Sequence, residues 1–311
     1  MKVVWEGTAK TEALRLVNIA SGISCGFFKH NGFLVLPQNT HDLNSSRVVT
    51  LPELNYTSVP RFWERVGRID YKKLIGAYHI SVPADLIFDL PVPQYKEIDI
   101  TKVWPVICSV VPRAKDVRTI HVWPTNFGTT CSFSLCEGKP PYDIYVWLRV
   151  DQGETALVEA IITSLTRPAQ PNASWSESEA TVDWIMSDSI IAKALGNKAD
   201  LTIADTRSKI SANLQKMSDD FLAKIGAPQV TLETIKSLNT SEFSQKEKQL
   251  WQKFITNPNR LVSFDEIGDE NDFSLYAITK VVQRLRDKME SQGVTGSLIQ
   301  SKRGEGYILV S

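Results

Sequence analysis

Between residues 1 and 150 the apolar side chains come in short β-branched and aromatic runs; beyond residue 150 they recur every third or fourth position. The first pattern predicts strands and the second amphipathic helices. Residues 24–30 and 33–36 flank Asn31-Gly32, a pair that accepts positive φ at both turn positions and so predicts a β-hairpin. Further strands are predicted at 117–123 and 144–150, and a helix within 62–76. A helix over 154–165 places Leu157, Val158, Ile161, Ile162 and Leu165 on one stripe. Another, over 176–195, opens on the capping box Ser176-Glu177-Ser178-Glu179 and stops at Gly196-Asn197. From 205 to 225, Ile210, Leu214, Met217, Phe221 and Ile225 recur at spacings of four, three, four and four, before Gly226 and Pro228 end the helix. That stripe fits either a helix packed on the N-terminal domain or a short coiled coil joining two copies of the chain.

The last seventy or so residues have a tighter pattern. Ser244-Gln245-Lys246-Glu247 is a second capping box, opening a helix that turns Leu250, Trp251 and Phe254 inward. A turn at Asn257-Pro258-Asn259-Arg260, a short extended Leu261-Val262 and a brief helix capped by Ser263 follow. A third helix is predicted over 273–291, with Ile278, Val282, Leu285 and Met289 on its core side. Its opposite side holds Tyr276, Ala277, Lys280, Gln283, Arg284 and Asp287. A hairpin over 298–301 and 307–310 closes the segment. Gly304 and Gly306 in its turn permit positive φ, so that the tip projects Arg303 outward. The expected fold is α+β: a mixed α+β domain over 1–200, an amphipathic helical connector over 201–240 and a winged helix-turn-helix over 241–311.

Composition narrows the functional classes. The chain has 311 residues with 35 basic and 35 acidic side chains, so no global field draws in a polyanion. The charge is segregated locally instead. Asp265, Glu266, Asp269, Glu270 and Asp272 are followed by Lys280, Arg284, Arg286, Lys288, Lys302 and Arg303. No run of roughly 18 apolar residues and no signal-peptide core is visible. A cytoplasmic protein with no membrane partner is expected, its cysteines (25, 108, 131 and 136) reduced. Cys131 and Cys136 lack the spacing of a zinc knuckle, so no metal is expected. Asn126-Phe127-Gly128-Thr129-Thr130 has one glycine and no lysine, unlike a phosphate-binding loop. No cofactor and no catalytic residue is nominated, Cys25 near His30 being the weak candidate for a nucleophile pair.

The basic face has the chemistry of nucleic-acid reading. Arg forks onto guanine O6 and N7, Gln pairs with adenine N6 and N7, and Lys neutralises phosphate. Asn257-Pro258-Asn259-Arg260-Leu261-Val262-Ser263, Arg284-Leu285-Arg286 and Arg303-Gly304-Glu305-Gly306-Tyr307 stand in the order of three motifs. In these the segment resembles the OmpR/PhoB-type winged-helix output domain of bacterial transcriptional regulators. The resemblance implies that the third helix lies in a major groove, that Arg303 approaches a minor groove, and that Ser301 stands near the backbone. The DNA-contacting set is then Tyr276, Lys280, Gln283, Arg284, Arg286, Ser301, Lys302 and Arg303. Double-stranded DNA is the expected partner, with RNA polymerase or another regulator beside it. Two departures stand out: the loop over 268–274 is short and lacks the usual Trp, and the preceding sheet is reduced to a piece around 231–238.

The N-terminal domain does not read as the receiver that usually precedes such a module, because hairpins stand where βα units belong. Extended Ile144-Tyr145-Val146-Trp147-Leu148, the helix after it and a later helix with Glu179 and Asp183 are similar in order to a zincin metallopeptidase. The H-E-x-x-H positions would fall on Thr163-Ser164-Leu165-Thr166-Arg167, so that resemblance implies a metal-free pseudoenzyme. The alternative functional class is a protein-interaction scaffold whose winged helix docks proteins.

Overall fold

In the computed structural model the described residues are 1–38, 47–52, 63, 90–136, 138–170, 175–196, 212–228, 230–271, 274–302 and 304–310. They form two compact units. The first takes the described residues of 1–19, 34–52 and 90–225; the second takes 20–33, 63 and those from 226 onward.

The first unit is built on a sheet of order β1-β4-β6-β5. β1 (Lys2–Trp5), β4 (Val117–Thr125) and β6 (Tyr142–Arg149) run parallel, and β5 (Cys131–Phe133) adds an antiparallel edge. β4 and β6 are buried on both faces over residues 122–125 and 146–149, whereas Arg118 near the start of β4 is exposed. One face sets Ile120, Val122, Ile144 and Val146 in a core with Ile107 of α3 (Trp104–Val110) and with α4 (Glu154–Thr166). Leu157, Val158, Ile161, Ile162 and Leu165 of α4 are fully buried there, as their stripe predicts. On the other face Trp123 and Trp147 meet edge to face at 4.7 Å, and the Arg15 guanidinium lies 5.8 Å over Trp147.

The expected hairpin at Asn31-Gly32 is not formed. α1 (Ala9–Ser24) continues through its start, α2 (Phe27–His30) replaces its first strand, and β2 (Leu34–Pro37) pairs in parallel with β3 (Val48–Leu51). Leu16, Ile19, Ala20 and Ile23 are buried at three- and four-residue spacing, and this helical period overrides the local turn signal. Asn31-Gly32 still turns the chain, with Gly32 at φ 70°, but from a helix into a strand. The helix expected within 62–76 lies outside the described residues, Trp63 excepted.

The helix expected over 176–195 is two. α5 spans Trp175–Met186 and α6 Ser189–Ala194, the second capped where Asp188 accepts the Ile190 amide at 2.9 Å. Ser176 therefore lies inside a helix, not at its cap, and Glu179 reaches Arg47 at 3.6 Å. α7 (Ala212–Lys224) covers most of the helix expected over 205–225, Ile210 lying outside the described residues. Its Leu214 packs against Leu34, Leu36 and Val48, and the Ser218 hydroxyl accepts the Val35 amide at 2.9 Å. Phe221 and Ile225 of the stripe are buried, whereas Met217 is exposed.

The order β6, α4, α5 matches the strand and helices likened to a metallopeptidase, but nothing supports that relationship. Thr163 and Thr166 donate back to the carbonyls of Glu159 and Ile162, and Ser164 donates to Ser134. Among the described residues no group of three or more His, Cys, Asp or Glu is placed to hold a metal, and no helix is long and apolar enough to cross a membrane.

A buried polar network ties α1 to the carboxyl end of β4. Glu12 is wholly buried and accepts from the Thr125 hydroxyl at 2.5 Å and the Asn126 amide at 2.7 Å. Burial pushes its pKa up, and the Thr125 and Asn126 bonds and Arg15 only partly offset that. A carboxyl with a raised folded-state pKa binds its proton more tightly folded than unfolded. Its stabilising effect is therefore full below the ordinary value of 4.5 and is lost as pH rises through the folded value. Glu12→Gln keeps an acceptor for Asn126 and a donor for Thr125. It is expected to melt within about 1 kcal/mol of wild type and to lose this part of the pH dependence. Glu12→Leu strands the Asn126 amide and leaves the Thr125 hydroxyl only the Phe127 carbonyl at 3.1 Å, and is expected to cost about 2 kcal/mol. Thermal melts between pH 4 and 7 check both.

Candidate nucleic-acid interface

The second unit buries a separate core of Ile235, Leu238, Phe243, Leu250, Trp251, Phe254, Val262, Ile267, Ile278, Val282, Leu285, Met289, Tyr307 and Leu309. α8 (Leu232–Lys236) occupies the position where a remnant of sheet is expected. The Thr231 and Thr234 hydroxyls form a capping box there, and Ile235 is fully buried, so helix wins over the short β-branched run. α9 (Gln245–Thr256) starts as predicted: Ser244 accepts the Glu247 amide at 3.3 Å, and Glu247 accepts the Ser244 amide at 2.7 Å. β7 (Leu261–Ser263) leads into α10 (Phe264–Asn271), whose Glu266 amide donates to Ser263 at 3.1 Å.

The third helix of the motif is α11 (Leu275–Ser291), capped by Ser274 two residues later than the periodicity suggests. Ile278, Val281, Val282, Leu285 and Met289 are its buried side. A 3₁₀ turn (Gly296–Leu298) leads to β8 (Ile299–Lys302) and β9 (Gly306–Leu309), and β7 completes an antiparallel sheet of order β7-β9-β8. Helix, helix and two-stranded wing follow in the expected order. At the wing tip Gly304 has φ 75° and lies in open space; Arg303 lies outside the described residues.

On the outer side of α11, Tyr276, Lys280, Gln283, Arg284 and Asp287 are all exposed, Tyr276 by 73%. The Lys280 ammonium stands 5.5 Å over the Tyr276 ring, and Gln283 donates to Asp287 at 3.0 Å. Lys302 is exposed on β8, and half-buried Ser301 pairs with Tyr307. These groups form a polar, cationic helix face beside a cationic hairpin end. Leu275, 62% exposed in the same first turn, adds an apolar group that no periodicity marks.

Arg286 stands apart from this face. Its Nε and Nη2 donate to the Ile299 carbonyl at 3.1 and 2.6 Å, and its guanidinium lies 5.8 Å over the Tyr307 ring. Burial lowers its pKa from the ordinary arginine value. With Ile278 taken as zero, a rotation of about 100° per residue puts Arg286 at about 80° and Arg284 at about 240°. Arg286 thus flanks the core and grips the wing strand.

Residues 239–309 match the family model described as "Transcriptional regulatory protein, C terminal", which covers less than a quarter of the chain. No curated protein and no solved structure matches the chain. The match assigns this winged helix to DNA binding in transcription regulation, with double-stranded DNA as its partner.

Lys288 holds the back of the unit together, donating to Glu247 at 2.5 Å and to the Glu242 carbonyl at 2.7 Å. Burial alone raises the Glu247 pKa, but the Lys288 ammonium and the Ser244 amide and hydroxyl outweigh it and hold the carboxyl below its ordinary value of 4.5. The pair's contribution is full above that value and is lost as pH falls through the folded one. Glu247→Ala removes half of the capping box and leaves Lys288 only the Glu242 carbonyl, an expected loss of about 2 kcal/mol at pH 7 that shrinks toward pH 3. Denaturant unfolding followed by Trp251 fluorescence measures it.

Proposed function

We propose that this protein is a sequence-specific duplex-DNA-binding transcriptional regulator. In this reading α11 enters a major groove and the β8–β9 hairpin meets the neighbouring backbone or minor groove. The observation that carries it is the single exposed face formed by Tyr276, Lys280, Gln283 and Arg284, with Lys302 on the adjoining wing strand. Arg284 and Gln283 have the donor geometry for guanine and adenine edges; Lys280, Lys302 and Arg303 supply phosphate or minor-groove contacts, and Ser301 a backbone contact. Arg286 contributes by positioning the wing. In this reading α8, whose Ile235 is buried with the winged-helix core, belongs with the DNA-binding unit.

The N-terminal unit acts in this reading by binding, not by catalysis, and its input is not phosphorylation of a receiver. Support comes from the strand order β1-β4-β6-β5 with an antiparallel edge, and from Glu6-Gly7-Thr8 after β1, which offers one acid where a receiver has a pair. The parallel pairing removes hairpins as a reason for that conclusion. RNA polymerase or a second regulator fits as a further partner. A homodimer through α7 would use a side of the helix other than the packed Leu214, Phe221 and Leu222.

Anisotropy titration of the full chain against genomic duplex fragments tests the proposal. Binding is expected to weaken steeply with salt. Arg284→Ala is expected to cost about 1–3 kcal/mol and relax base preference, and Lys302→Ala to weaken all sequences evenly and lower the salt slope by about 1. An absence of binding at low salt, or indifference to both substitutions, sinks it.

A further inference from the structure

The segment that joins the recognition helix to the wing, residues 292–300, is held from two sides. From within the winged helix, Arg286 takes the Ile299 carbonyl, and a Cβ on Gly296 would meet the Arg286 Cβ at 2.6 Å and its backbone at 2.9 Å. The second hold comes from residues more than 200 positions earlier. The Cys25 carbonyl accepts the Thr295 amide at 3.1 Å, and His30 Nε2 lies 3.0 Å from the Gln300 side-chain amide.

These two contacts bracket the joining segment, one just before the 3₁₀ turn and one on β8 itself. They are set by a stiff local structure. Gly26, at φ 79°, lies so close to Val230 that a Cβ would approach its Cγ2 to 2.8 Å. Phe27, Phe28 and Phe33 cluster around α2 with centroids 5.5 to 6.4 Å apart, Phe28 edge to face with the other two. Residues 20–33 accordingly belong to the same compact unit as the winged helix, although the family match begins only at residue 239.

We propose that His30, with the Cys25 carbonyl, is a positioning element for DNA binding: it sets the wing against the recognition helix by fixing Gln300 and Thr295. This rests on the duplex-DNA reading of α11 and the wing, and adds to it a requirement for residues outside the matched domain. Gln300 stands two residues before Lys302, so a shift of β8 moves the cationic tip directly. A recognition helix whose wing is free to pivot still reaches the major groove. It loses the wing's phosphate contacts.

The test uses the full chain and a genomic duplex fragment enriched by wild-type binding, titrated by anisotropy across a series of KCl concentrations. His30→Ala is expected to weaken binding about tenfold and to lower the slope of log K against log salt by about one contact. Gln300→Ala should reproduce both effects, and the double variant should be no worse than either single one, since both delete the same contact. His30→Gln retains a hydrogen-bonding partner for Gln300 and should restore most of the affinity and the slope. Tight wild-type binding with affinity and slope unchanged in His30→Ala overturns the positioning role. So does a loss of affinity at constant slope that His30→Gln fails to rescue, because that is the mark of general destabilisation. Failure of the wild-type chain to bind any duplex at low salt removes the functional reading itself, a different result from either.

Discussion

The grip of Arg286 on the Ile299 carbonyl is the constraint on which the candidate interface depends. A winged helix reads DNA with two devices that must be held at one spacing. Here the spacing is set by a guanidinium that spans from the flank of α11 to the first residue of β8. The same side chain lies over Tyr307 on β9, so helix and both wing strands share one half-buried cation. Gly296 lets the connecting segment lie directly on the helix backbone. Removing the basic group leaves a buried carbonyl without its donor, an expense of about 1–3 kcal/mol before any effect on DNA.

Much of the C-terminal unit was legible in the sequence because its signals are local. The Ser244–Glu247 capping box, the apolar period through Ile278, Val282, Leu285 and Met289, and the glycines of the wing turn each act within a few residues. Each is realised in the structure. The role of Arg286 was not legible from Arg284-Leu285-Arg286 as a motif. Its phase puts it beside the core, but only the position of β8, more than ten residues later, shows what it grips. α8 was hidden for a related reason: a five-residue helix opened by Thr231 has too little period to outweigh its β-branched content.

The N-terminal unit was harder to read because its pairing is non-local. Asn31-Gly32 is a strong hairpin signal, yet the buried positions of α1 continue at helical spacing up to it, and β2 finds β3 in parallel instead of a neighbour in antiparallel. The strands β1, β4 and β6 are separated by long stretches and leave no mark of their order in the sequence. Two features, the buried Glu12 network and the packed face of α7, show where residue types chosen for polarity or period are spent internally. The likeness to a metallopeptidase rested only on the order of one strand and two helices, and no match supports it.

The claim at the centre of this account is that α11 and the β8–β9 wing engage one duplex together. A hydroxyl-radical footprint of the full chain on a genomic fragment selected by binding measures that most directly. The predicted result is backbone protection flanking one major groove, with a second protected patch at the adjoining minor groove about half a helical turn away. Uniform cleavage along the bound fragment, or protection confined to the major groove and unchanged by Lys302→Ala, contradicts it.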